Sequence, residues 1–238
     1  MSKTVTGRLI LFPVPMGDTP PAEVLPARNI ELLGAVRHFV VENIRSARRF
    51  LRAAIPDFPI DSCCFVELSE HTPASEVASM LEPVLEGHDV GVVSEAGCPA
   101  VADPGADLVA AAQRAGVEVV PLVGPSSIIM SLMASGFNGQ NFCFDGYLPV
   151  DTERRCSSLR SIAREMRTSQ RTHIFIETPY RNNRLLADII ETISPHLLLC
   201  VASDITGPSQ RVRTMTVGRW AKEAPQLDKI PTIFLLGC

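Results

Sequence analysis

The sequence predicts an α/β protein of two α/β domains, the first built on a mostly parallel sheet and the second on a mixed sheet. Three observations lead there. Through the first half, short apolar runs rich in Val, Ile and Phe alternate with longer stretches of helical period, the pattern of parallel strands covered on both faces by crossover helices. Past Val123-Gly124-Pro125-Ser126 the texture changes, which places a domain boundary near Gly124, with domains at 1–123 and 124–238. In the last third, Arg211 to Val217 alternates polar and apolar side chains, as a strand with one wet face does.

The elements follow in order. Arg8 to Phe12, His38 to Glu42, Phe65 to Leu68, Val90 to Ser94 and Val117 to Leu122 read as strands, with helices at Ser46 to Ala54, Ala74 to Glu86 and Asp103 to Ala115. Gly87 and Gly116 each close a helical stretch before a strand, the place for a left-handed C-cap. In the second half, Ser126 reads as the N-cap of Ile128 to Ala134, followed by a strand at Phe142 to Leu148 and a long helix over about 153–168. Then come a strand at His173 to Glu177, a helix at Arg181 to Ile193 and a strand at Leu197 to Ser203. The chain finishes with the Arg211 strand, a short helix around Trp220 and a strand at Thr232 to Leu236.

Composition bounds the function. With 46% hydrophobic residues over 238 positions, the chain holds enough apolar material for a sizeable core and is not disordered. Lys plus Arg number 22 against 26 Asp plus Glu, a formal net charge of −4, so any surface for a polyanion must be local. The seven cysteines are scattered and form no C-x-x-C, which offers neither a zinc ribbon nor a thioredoxin motif and suggests a reducing compartment. Met1-Ser2-Lys3-Thr4 does not open a secretory leader, and no apolar run reaches membrane-spanning length. A cytoplasmic protein without membrane association is expected.

In an open parallel sheet, ligands bind beyond the carboxyl ends of the strands. After the first strand comes Pro13-Val14-Pro15-Met16-Gly17-Asp18, which is neither G-x-G-x-x-G nor a P-loop. After the second comes Glu42-Asn43-Ile44-Arg45; after the fourth, Ser94-Glu95-Ala96-Gly97-Cys98-Pro99 and then Asp103-Pro104-Gly105; after the fifth, Gly124-Pro125-Ser126-Ser127. Small residues let backbone approach a ligand closely, and a turn entering a helix offers free N–H groups.

These motifs, in this order and followed by Glu177-Thr178-Pro179-Tyr180-Arg181, resemble the tetrapyrrole methylase superfamily, and within it most closely the cytidine-2′-O-methyltransferase branch that acts on small-subunit ribosomal RNA. The chain departs from the usual pattern at Glu95 (commonly Asp), Cys98 (Thr), Asn43-Ile44 (Asp-Thr) and Tyr180 (His). The resemblance implies S-adenosylmethionine held in a cleft between two α/β domains, usually in a homodimer. Carried over by position, it assigns cofactor contacts to Pro15, Met16, Ser94, Glu95, Cys98, Ser126, Ser127, Glu177 and Thr206. Glu42, Arg45 and Glu177 become candidates for catalysis: the carboxylates as general base, with Asp103 third, and Arg45 with Arg181 to steer a phosphate or an acidic acceptor.

Two helical faces are strongly basic. Arg45, Arg48, Arg49 and Arg52 recur at i, i+3, i+4 and i+7, with Ile44, Ala47, Leu51 and Ala54 opposite. Arg160, Arg164, Arg167 and Arg171 form a second stripe backed by Leu159, Ile162, Ala163 and Met166, with Arg154 and Arg155 adding charge near the helix start. Local cationic faces on an acidic chain suit an RNA partner. No two histidines share a metal-ligand spacing, so no metal is expected. Cys63-Cys64 reads as a buried pair and Trp220 as a packing anchor. At this level two other functions stay open: methylation of a tetrapyrrole precursor or another small anionic metabolite, and a non-catalytic S-adenosylmethionine-binding protein.

Overall fold

The computed structural model describes residues 7–237; the Met1-Ser2-Lys3-Thr4 start and Cys238 lie outside the described residues. The chain divides into two compact units, Met1–Ser126 and Ser127–Cys238.

The first unit runs β1 (Arg8–Phe12), α1 (Pro21–Val24), α2 (Ala27–Ala35), β2 (His38–Val41), α3 (Ile44–Ala54), β3 (Cys64–Glu67), α4 (Ala74–Ser79), α5 (Glu82–Leu85), β4 (Val90–Val93), α6 (Gly105–Arg114) and β5 (Glu118–Pro121). Its five strands are all parallel, in the order β3-β2-β4-β1-β5. The register Leu9↔Val90, Phe39↔Gly91 and Leu9↔Val119 stacks the apolar runs side by side. Alternation along each strand then sends Leu9, Val40 and Val92 into one core layer, under α4 to α6, and Ile10, Phe39 and Val41 into the other, under α2 and α3.

Several sequence expectations need correction here. The helix expected over Ala74 to Glu86 is two short ones, because Pro83 has no N–H to give and its ring clashes with the carbonyl four residues back. Helices α1 and α2 were not foreseen; Pro21 at the first turn of α1 and Pro26 just before α2 were their start signals. Cys63 and Cys64 are not a buried pair: Cys64 is exposed and Cys63 half-buried, since β3 is an edge strand paired only with β2 and lies largely in water. The Gly116 cap is as expected. Its φ is 71°, its N–H reaches Gln113 O, and the next N–H, of Val117, reaches Ala112 O, which together make a Schellman closure.

The second unit runs α7 (Ser127–Ser135), β6 (Phe142–Tyr147), α8 (Thr152–Ser169), β7 (Thr172–Ile176), α9 (Asn182–Thr192), β8 (Leu198–Ser203), β9 (Arg211–Thr216), α10 (Val217–Glu223) and β10 (Thr232–Gly237). Its sheet is mixed, in the order β6-β7-β10-β8-β9, with only β6–β7 parallel. Leu159, Ile162 and Met166 of α8 and Leu185, Leu186 and Ile189 of α9 pack on Phe175 and Phe234 in one core. Trp220 is the anchor its sequence position suggests: it is buried and its Nε1–H donates to Leu199 O at 2.8 Å.

The basic stripes are partly redrawn. Arg155 does not add to a surface: it is buried and pairs with Asp188 of α9. The wheel placed it outward because the partner that draws it in belongs to another helix. Arg171 lies beyond the end of α8, past Gln170 at φ 52°, and is paired with Glu165.

Candidate functional site

The strand order of the first unit makes neighbours of the carboxyl ends of β2, β4, β1 and β5, so the loops after these four strands form one rim. Hydrogen bonds then fix the loops to one another. Val14 and Gly97 exchange both backbone bonds, at 2.9 and 3.2 Å, tying the loop after β1 to the loop after β4. Gly124 has no room for a side chain, since a Cβ there would lie 2.2 Å from Pro13 Cβ. Asn29 of α2, buried, donates from Nδ2 to Val123 O at 2.8 Å and holds the same turn from beneath. Cys98 donates its thiol to Pro125 O at 3.3 Å, joining the turn after β5 to the acidic loop. Met16 lies against Gly97.

The acidic loop carries backbone strain. Gly97, Ala100 and Ala102 sit at φ 71°, 65° and 60°, a region that costs an alanine about 1–3 kcal/mol and persists only where its surroundings impose it. Asp103 imposes it: the carboxylate accepts from Ala100 N at 2.9 Å on both oxygens and from Gly105 N at 2.7 Å. This delays the start of α6 to Gly105, two residues later than the sequence suggests. Burial pushes the Asp103 carboxyl above its ordinary value, and the two N–H groups only partly offset it.

Glu42 stands at the end of β2 with its Oε2 accepting from Glu95 N at 3.0 Å. Burial is the largest influence on it and raises its pKa; the Glu95 N–H lowers it, while the charges of Asp103, Glu95 and Glu70 add to the rise. A carboxyl raised in the folded state binds protons there before it does in the unfolded chain. Stability therefore falls as pH rises from the ordinary glutamate range through the folded pKa, and the loss persists above it. Glu42→Gln should remove that slope and leave the protein more stable than the parent at pH 7 but equal at low pH, as read by urea unfolding across pH. A parent and variant with parallel profiles would show that Glu42 ionises freely.

A cleft of about 380 Å³ opens beside this rim, within the size range of small-molecule sites. It brings together Pro15 and Asp18 of the first loop, Ser94 and Glu95 of the acidic loop, and Ser46 and Arg49 of α3. Ser46 Oγ donates to Glu95 Oε2 at 3.1 Å. Pro15, Ser94 and Glu95 were expected at the cofactor; Ser46, Arg49 and Asp18 were not. The i, i+3 spacing of Ser46 and Arg49 on the first turns of α3, just after Glu-x-x-Arg, was the available signal. Arg45, on the same first turn, is exposed and makes no ion pair among the described residues. Arg48 is drawn aside over the Phe65 ring, 5.2 Å from its centroid.

In the second unit, Glu177 follows β7 and is buried, its Oε1 accepting from Thr178 N and from Arg181 Nη2, both at 2.6 Å. Burial raises its pKa, but the Arg181 hydrogen bond and charge with the Thr178 N–H outweigh it, and the carboxyl is held below its ordinary value. Thr206, at φ 69°, lies in the tight turn after β8, its N–H donating to Gln210 Oε1 at 2.7 Å. Ser126 ends the first unit and Ser127 opens α7 in the second, its carbonyl accepting from Ser131 Oγ at 2.6 Å.

An open parallel sheet whose strand-end loops are knitted into one rim, with a cleft lined by backbone, hydroxyl and carboxylate groups, is the ground plan of an α/β enzyme that holds a small organic cofactor. The chain belongs to the tetrapyrrole (corrin/porphyrin) methylase family, whose model matches residues 11–221. It is 31% identical to the ribosomal RNA small subunit methyltransferase I of Escherichia coli O157:H7, over 91% of this chain and 73% of that one. It is 32% identical to the protein of the same name from Mycobacterium bovis, over 87% and 69%. The fold matches uroporphyrin-III C-methyl transferase from Thermus thermophilus, solved with S-adenyl homocysteine, at a TM-score of 0.59 and 18% identity over 97% of each chain. The protein is therefore an S-adenosylmethionine-dependent methyltransferase with S-adenosylmethionine as its cofactor. No helix among the described residues is long and apolar enough to cross a membrane.

Proposed function

We propose that this enzyme methylates small-subunit ribosomal RNA, at the ribose 2′-oxygen of a cytidine. The observation that carries the reading is a basic groove of about 510 Å³ on the second unit, lined by Arg160, Arg164 and Arg167 of α8 with Ser157, Thr192 and Ser194. None of the three arginines has an ion-pair partner among the described residues. On a chain of net charge −4, three uncompensated guanidinium groups in a row are a phosphate-backbone surface. The names of the relatives point the same way.

Bound S-adenosylmethionine supplies an activated methyl group on a sulfonium. The residues of the cleft fit it: Pro15, Ser94 and Glu95 line the wall, and the Val14–Gly97 pairing fixes the loops that present them. The chain's own task is positioning and, for a ribose hydroxyl, removal of a proton. Glu42 suits that task better than Glu177, because burial raises its basicity while Arg181 lowers that of Glu177. Glu177 then acts as a brace for the Thr178–Arg181 turn. Arg45, exposed at the start of α3, is placed to meet a phosphate. A homodimer is part of the same reading, supported by the exposed apolar side chains of Ile129 and Met133 one turn apart on α7.

The test is methyl transfer from labelled S-adenosylmethionine into small ribosomal subunits that lack ribose methylation, read by nucleoside mass spectrometry. One 2′-O-methylcytidine is expected. Joint replacement of Arg160, Arg164 and Arg167 by alanine should lower the slope of log affinity against log salt by about 2, at roughly 0.7 per phosphate contact. Turnover on a small anionic metabolite with none on RNA would sink the proposal.

A further inference from the structure

The cluster that the methyltransferase site does not use lies at the other end of the second unit's sheet. β6 and β7 run parallel with Cys143 beside His173, and the register then slips, leaving Asp145 as the extra residue of a bulge before Gly146 at φ 70°. Bulges re-aim side chains, and this one turns Asp145 onto the same histidine. Cys143 Sγ lies 3.2 Å from His173 Nδ1, Asp145 Oδ2 lies 3.0 Å from the same nitrogen, and the thiol stands 3.7 and 3.8 Å from the two carboxylate oxygens. His173 is 2% exposed, while Asp145 and Cys143 open toward solvent and give a path in.

Hydrogen bonding accounts for only part of this arrangement. Nδ1 carries one proton or one lone pair, so when it donates to Asp145 Oδ2 the thiol is left with long contacts alone, to the carboxylate oxygens at 3.7 and 3.8 Å and to Thr172 O at 3.9 Å. At the far side of the ring, the buried Nε2 has no hydrogen-bond partner; Glu165 Oε2 stands 3.9 Å away, on an exposed side chain that Arg171 already orients. A cation would bind the sulfur, the ring nitrogen and the carboxylate oxygen that face one another here. A tetrahedral zinc bound to sulfur, nitrogen and oxygen at their usual lengths separates those atoms by about 3.5 Å (S···N and S···O) and about 3.3 Å (N···O). The three separations here lie within about 0.4 Å of those values.

We propose that Cys143, Asp145 and His173 form a zinc site, with a solvent molecule in the fourth position. Binding moves one proton: Zn²⁺ displaces the thiol hydrogen to solvent, and the metal with one thiolate, one carboxylate and a neutral imidazole leaves the site uncharged. His173 would bind through Nδ1 and keep its proton on Nε2, which faces Glu165 Oε2 across 3.9 Å, the side of the ring where a carboxylate steadies many such ligands. The site would tie the edge strand β6, which has β7 as its one neighbour in the sheet, to the sheet interior. Spacing hid the cluster: Cys143 and Asp145 are two apart, but His173 comes from the next strand.

The test uses the whole chain, reduced without thiols and freed of metal by chelation. Titration with Co²⁺ should bind one equivalent with release of one proton and give a thiolate charge-transfer band, which one equivalent of Zn²⁺ abolishes without further proton release, and zinc should raise the unfolding midpoint. Cys143→Ser and Asp145→Asn, neither of which touches the methyl-transfer machinery, should each weaken zinc binding at least about tenfold without lowering the midpoint of the metal-free protein. Glu165→Gln should weaken it by about tenfold through Nε2. Absence of the cobalt band, or a band of full intensity in Cys143→Ser, overturns the proposal.

Discussion

Arg155→Ala should destabilise the second unit by about 3–5 kcal/mol, the cost of stripping one partner from a buried ion pair. The side chains of Arg155 and Asp188 are 4% and 2% exposed, and every guanidinium N–H has an acceptor. Nε and Nη2 bond Asp188, Nη1 bonds the carbonyls of Pro149 at 3.1 Å and Val150 at 2.6 Å, and Nη2 also reaches Thr152 Oγ1 at 3.2 Å. The alanine variant leaves two carbonyls and a buried carboxylate behind, with Arg184 alone, at 3.1 Å, to answer the charge. Arg155→Lys should recover little, because one ammonium cannot span five directions. Urea unfolding followed through Trp220, which sits in the same core, measures the effect. A loss under about 1 kcal/mol would mean that water reaches the pair.

Asp103→Ala should weaken S-adenosylmethionine binding by at least about tenfold. The carboxylate holds Ala100 N and Gly105 N, and hydrogen bonds to a charged group contribute about 1.5–3 kcal/mol each. Without them the left-handed Ala100 and Ala102 relax toward ordinary backbone, and the segment running back to Ser94 and Glu95 loses its shape. Asp103→Asn, which keeps one acceptor oxygen, should fall between. Calorimetric titration with S-adenosyl homocysteine separates the cases; an Asp103→Ala protein with parental affinity would show that the loop's shape is set by the Val14–Gly97 pairing alone.

The contrast between these residues measures what the sequence made legible. Strand runs such as Leu9 to Phe12 and Val90 to Val93 were visible because burial on both faces demands unbroken apolar residues, and that pattern needs no partner to be read. The four strand-end loops were visible for a related reason: Gly, Pro and Ser cluster where backbone must turn and come close. Hidden were contacts set by tertiary register. Arg155 read as surface until α9 supplied Asp188, Asp103 read as a spare base until its oxygens met Ala100 and Gly105, and Cys143 with His173 read as isolated thiol and ring. The break at Pro83 was written in the sequence and outweighed the apolar period around it.

The position of β1 in its sheet bears on how the chain is born. Its neighbours are β4 and β5, so Arg8 finds its register partner in Glu118, about 110 residues downstream. At about 5–20 residues per second, the ribosome delivers that partner roughly 5 to 20 seconds after the strand itself. In that interval Ile10 and Phe12, which end with almost no solvent exposure, meet α2 and α3 first, and β1 gains β4 before β5 completes its pairing. The sheet of the nascent first unit therefore cannot close before Pro121 has cleared the exit tunnel.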